Sequence, residues 1–177
     1  MANIFVAGVH GVGKTNFCAF LSKKTQLEHF LCSGLIRSYR PCADMGKCVD
    51  DIEHNQQLLL LSYKNSCYGR NVILDGHATV LDSDGRPVCI DNYVFKELDI
   101  SLLIYMEAPA SVIQARVQKR SGIVWSKAYI DELIASEKKA VEGIAENLNV
   151  DLLKITNQVS NELIWDDYGW IVEKKLE

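Results

Sequence analysis

Apolar positions along the chain fall into two rhythms. Short, nearly continuous runs occur at Asn3-Ile4-Phe5-Val6-Ala7, His29-Phe30-Leu31-Cys32, Asn71-Val72-Ile73-Leu74-Asp75-Gly76-His77, Ile100 to Met106 and Asp151 to Ile155. Each has strand length, is rich in strand formers and stops at a glycine, acid, proline or asparagine, so five buried strands are predicted. Between them apolar residues recur at helical spacing: Phe17, Phe20 and Leu21; Leu58 to Leu61; Val112, Ile113 and Val117 behind Pro109; and Ile130, Ile134, Val141, Ile144 and Leu148 on a long helix from about Ser126 to Asn147. Glu137 falls on that last seam, either as a cleft residue or as a charge at the helix edge, with the second reading preferred. From Leu35 to about Lys64 the pattern is helical, broken by Arg40-Pro41 and a polar loop from Cys42 to Cys48. Ala78 to Ile90 reads as a small hairpin around Asp82-Ser83-Asp84-Gly85-Arg86-Pro87, Asp91 as the cap of a short helix through Leu98, and the chain after Asn157 as closing helix.

Strands alternating with helices predict an α/β fold, a five-stranded parallel sheet with helices on both faces. At 177 residues the chain suits one domain, 1–177, with residues 33–64 as a helical excursion. Ligands of such sheets gather at the carboxyl ends of the strands. Those ends are Gly8, Ser33, Asp75-Gly76-His77, Glu107 and Thr156-Asn157, so five separated pieces of sequence are expected around one cleft.

The first of them carries the most specific signal. Gly8-Val9-His10-Gly11-Val12-Gly13-Lys14-Thr15 spells G-x-x-x-x-G-K-[ST], placed after a strand and before a helix. Glycines let successive backbone N–H groups turn inward, and the helix adds its positive end, so a polyphosphate is the expected ligand. Gly8, His10, Gly11, Val12, Gly13, Lys14, Thr15 and Asn16 are the candidate nucleotide contacts. Lys14 is expected on the β- and γ-phosphates of ATP, and Thr15 on Mg²⁺ with Asp75 as its carboxylate partner. Arg116 and Arg120, four apart at a helix end, can clamp a transferring phosphoryl group, with residues 120–127 as a short lid. Arg37 is placed to hold an anionic second substrate, with Gly76 and His77 beside it.

Composition changes the picture little. A net charge of -4 argues against a broadly basic nucleic-acid surface. No apolar run approaches membrane-spanning length and the N-terminus lacks a signal-peptide pattern, so a cytoplasmic protein is expected. The six cysteines, Cys18, Cys32, Cys42, Cys48, Cys67 and Cys89, form no C-x-x-C pair, which argues against zinc and for reduced thiols.

Taken together these residues resemble the nucleoside monophosphate kinase branch of the three-layer P-loop NTPase fold, and the short lid is more similar to archaeal-type adenylate kinases. The match lies in the Gly8–Thr15 loop, Ser33-Gly34-Leu35-Ile36-Arg37, Asp75-Gly76, the Arg116/Arg120 pair and Thr156-Asn157. The resemblance implies ATP and Mg²⁺, a small phosphorylated acceptor, and Asn157 beside the adenine. One departure stands out: the family commonly continues Asp-Gly with aromatic-Pro-Arg, and this chain continues with His77-Ala78-Thr79. Asp44, Asp50, Asp51 and Glu53 are the acids available should the acceptor be a hydroxyl. A second reading is a nucleotide-dependent switch or slow ATPase acting through a protein partner.

Overall fold

The computed structural model describes residues 2–39 and 52–176. The expectations placed on Arg40-Pro41, Cys42, Asp44, Cys48, Asp50 and Asp51 lie outside those residues. The elements run β1 (Asn3–Ala7), α1 (Lys14–Thr25), β2 (Glu28–Leu31), α2 (Cys32–Tyr39), α3 (Ile52–Ser66), β3 (Val72–Asp75), β4 (Thr79–Leu81), β5 (Pro87–Cys89), α4 (Asn92–Glu97), β6 (Ile100–Glu107), α5 (Ala110–Ser121), α6 (Lys127–Leu148), β7 (Asp151–Thr156) and α7 (Asn161–Leu176).

The five predicted strands form one sheet in the order β2-β3-β1-β6-β7, every pair parallel. The sheet is covered on both faces, and β1 is buried at every position. Ile4 and Val6 pack with Phe17 and Leu21 of α1 and Ile164 and Val172 of α7. Phe5 and Ala7, pointing the other way, pack with Leu59 and Tyr63 of α3, Phe95 of α4 and Val141 of α6. The five strands and the two helical layers thus follow the sequence reading.

Three local features refine it. Cys32 leaves β2 and opens α2, so Ser33-Gly34 are helical and not a turn closing the strand. The Thr79–Leu81 and Pro87–Cys89 strands pair antiparallel, and Tyr129 Oη of α6 donates to Gly85 O at the tip, holding the hairpin over the sheet end. Helix α6 begins in the cluster of Ile4 and Val6, through Ile130 and Leu133, and ends in the cluster of Phe5, through Val141 and Ile144. It therefore crosses the carboxyl edge of the sheet near its middle, where Glu137 lies.

Candidate nucleotide-binding site

The loop between β1 and α1 owes its shape to glycines. Gly13 has φ 108°, and a side chain there would run into the Asn157 amide. Gly8 has φ 145°, and an added Cβ would stand 2.7 Å from Met106 O. The helix begins on Gly13 with no side-chain cap and no acid in its first turn, so its leading N–H groups have no competing carboxylate. That arrangement fits a phosphate group.

Lys14 folds over the loop, donating from Nζ to Gly8 O at 2.5 Å and Val9 O at 3.3 Å, and to His77 Nε2 at 3.1 Å. An ammonium can only donate, so this contact assigns the His77 proton to Nδ1. Burial lowers the pKa of Lys14, against the pull of Asp75 and Glu137. Thr15 Oγ1 donates to Asp75 Oδ2 at 2.8 Å. This hydroxyl–carboxylate pair, with Asp75 only 5% exposed, is a hard-oxygen donor set of the kind Mg²⁺ takes. Behind it His29 Nε2 sits 3.7 Å from Asp75 Oδ2, and a Cys18 ligand atom lies within 4.8 Å of both. Sequence reading did not foresee that grouping, because the three residues come from α1, β2 and β3. Burial pushes the Cys18 and Cys32 thiols well up, which keeps them protonated and inert.

Arg116 and Asn157 both address the loop. Arg116 Nη1 donates to Gly11 O at 3.1 Å and Val12 O at 2.9 Å, and the Asn157 side-chain amide also donates to Val12 O. Both residues thus brace the loop from the side of α5 and β7. Arg120, one turn farther along, is exposed, and its charge acts on His10. Asn16 is exposed in the first turn of α1.

The His10 and His77 rings lie 4.2 Å apart, tilted by 45°. Burial, with the charges of Lys14 and His10, holds His77 well below the ordinary histidine value. His10, although its residue is exposed, is pushed down to about 4 by desolvation of its ring and by Lys14 and Arg120, against Asp75. Both rings are therefore neutral at physiological pH.

Glu137 decides between its two sequence readings against the preferred one. It is no helix-edge charge: it is fully buried, and its carboxylate accepts from Gly8 N at 3.1 Å, Ala78 N at 2.8 Å, Thr79 N at 2.8 Å and Thr79 Oγ1 at 2.6 Å. A carboxylate at the helix crossing thereby ties the start of the phosphate loop to the segment after β3. The only sequence signal was an acid on an apolar seam.

Beside the loop, between α3, the hairpin and α6, lies a cavity of about 340 Å³ whose wall includes Val9, His10, Gln56, Leu59, His77 and Leu133. His77 forms part of this wall. Gly76 is instead packed beneath, where a Cβ would stand 2.5 Å from the Phe5 ring and 2.9 Å from Cys32 Sγ. Arg37 is exposed on α2 and is not part of the wall, because Ile36 takes the inward position next to it. Gln56, on the inner face of α3, was not singled out from the sequence, since nothing local marks a glutamine in a helix as buried.

A family model described as an AAA domain matches residues 7–133. No curated protein sequence matches the chain. Among solved structures, a gluconokinase from Sinorhizobium meliloti 1021 superposes with a TM-score of 0.56 at 14% identity, covering 92% of this chain and 86% of that one. Identity that low speaks for a shared P-loop kinase-like fold alone.

Proposed function

The chain belongs to the AAA-domain family, and from that premise we propose that it is an ATP- and Mg²⁺-dependent phosphotransferase, moving the γ-phosphoryl of ATP to a small molecule held in the cavity beside the loop. One observation carries the reading: a phosphate loop with its Thr15–Asp75 pair opens directly onto a cavity of small-molecule size, through His10 and His77. A purely phosphate-binding module has no use for that second compartment.

In this reading the loop N–H groups and Lys14 cradle the polyphosphate, and Arg120 stabilises the charge that develops on the transferred group. Arg116 and Asn157 hold the loop in shape. Thr15 and Asp75 would hold Mg²⁺, which would supply charge neutralisation for the polyphosphate. Residues 120–127 act as a short lid that excludes water. No covalent enzyme intermediate is needed. The family resemblance makes a nucleoside monophosphate the first acceptor to try, and Arg37 would serve its phosphate only by turning inward from its exposed position.

The test is to follow ADP formation from Mg-ATP with and without a panel of monophosphates, nucleosides and other small hydroxylated metabolites. Acceptor-dependent ADP release with a phosphorylated product supports the reading, and a basal rate indifferent to every acceptor counts against it. A second reading, an ATPase switch acting through a protein partner at a cytoplasmic site, draws on Ile123 and Val124. These are 52% and 65% exposed in the short segment between α5 and α6, an apolar tip beside Arg120.

A further inference from the structure

The described residues around the cavity beside the phosphate loop offer an anion little. Among the described residues its wall carries no lysine or arginine, and its one formal charge is the Glu137 carboxylate. That carboxylate is already satisfied by four donors from the protein, so it offers a ligand repulsion for negative charge and little hydrogen bonding in return. The rest of the wall is dominated by aliphatic side chains such as Ile36, Leu59, Leu81 and Leu133.

One polar atom stands out on this wall. Gln56 is only 6% exposed, and its Oε1 has no hydrogen-bond partner among the described residues. Burying an amide oxygen bare costs the desolvation of that group, and the cost is recovered when a ligand brings an N–H or O–H to it. The same wall includes His77, whose Nε2 accepts from Lys14 Nζ at 3.1 Å and so marks the side that borders the phosphate loop.

We propose that the acceptor is uncharged: a molecule with an apolar ring body, a hydroxyl directed at the phosphate loop and an N–H or O–H donor for Gln56 Oε1, the combination a nucleoside offers. This rests on the phosphotransferase reading and names its substrate class. In the transfer, the acceptor hydroxyl oxygen forms a bond to the γ-phosphorus. The bond from that phosphorus to the β,γ-bridging oxygen breaks, and ADP leaves with the electron pair. The hydroxyl proton passes to an oxygen of the transferred phosphoryl group and from there to solvent. Gln56 orients the acceptor body.

The test is calorimetric titration of the whole protein, without ATP, with adenosine, guanosine, cytidine, uridine and thymidine and with the 5′-monophosphate of each. At least one nucleoside is expected to bind about tenfold or more tightly than its own monophosphate. Gln56→Leu should weaken that binding by about tenfold or more, with affinity for a non-hydrolysable Mg-ATP analogue retained. Because Gln56→Leu removes a buried oxygen that has no partner among the described residues, it should also melt no lower than the parent protein. Should it fail to fold, Gln56→Met replaces it. The proposal is overturned if no nucleoside binds, if the monophosphates bind more tightly, or if the Gln56 variant binds unchanged. Labelled γ-phosphate from ATP then separates the two readings. Transfer to monophosphates alone keeps the kinase and overturns the uncharged acceptor. Nucleoside binding without transfer to anything supports the cavity's ligand class and overturns the kinase.

Discussion

At the scale of single residues, two buried groups set the terms of the site. Glu137 gathers donors from the phosphate loop and from the segment after β3. Exchanging one oxygen for an amide, in Glu137→Gln, turns an NH₂ toward N–H donors and should cost about 3 kcal/mol of stability in urea unfolding, with a matching loss of ATP affinity. An unchanged midpoint would mean that Glu137 is not the tie the geometry indicates. His77 makes a prediction about pH. Its folded pKa lies well below 6.5, so the unfolded chain binds the proton first as pH falls. Its contribution to stability is then full above about pH 6.5 and is lost progressively below it. Thermal midpoints measured downward from pH 7 should fall, and His77→Gln should flatten the part of that slope that His77 owns. None of this was visible in the sequence beyond a histidine after a turn, since its partners Lys14 and His10 are about sixty residues away.

At the scale of elements, the strand-loop-helix of β1 and α1 depends on backbone freedom at a few points. Gly13→Ala would place a methyl group at φ 108° and against the Asn157 amide, so the loop must shift. The expected outcome is loss of nucleotide binding with far-UV circular dichroism preserved. Gly76→Ala tests packing instead: its Cβ would meet Phe5 and Cys32, and about 1–3 kcal/mol of destabilisation is expected in the same unfolding assay. Helix α6 shows why element prediction stopped short of the site. Its apolar seam was legible from spacing alone. That it crosses from one face of the sheet to the other, carrying Glu137 over the strand ends, depends on where β1 and β3 lie.

For the whole molecule, nucleotide binding and folding are linked, because only the folded chain assembles the loop, Asp75 and the arginines. Mg-ATP at about a hundred times its dissociation constant should add about 2.7 kcal/mol of stability, seen as a raised thermal midpoint. The part of that gain that depends on magnesium should disappear on chelation and in Asp75→Asn. Equal gains with and without the metal would count against Thr15 and Asp75 as its holders.

What the sequence by itself determined was the local and the periodic: five strand-length apolar runs, the helical spacings between them, and a phosphate loop whose chemistry is written in eight consecutive residues. These signals are short-range, because backbone sterics and side-chain period act within a few residues. The tertiary structure decided what consecutive order cannot encode. It turned Arg37 outward and packed Gly76 into the core. Asn157 went to the loop carbonyl, and Glu137 and Gln56 were buried at the edges of one cavity. Each of those outcomes depends on which surfaces the sheet order brings together, and a buried polar group takes its meaning from the partners it meets there.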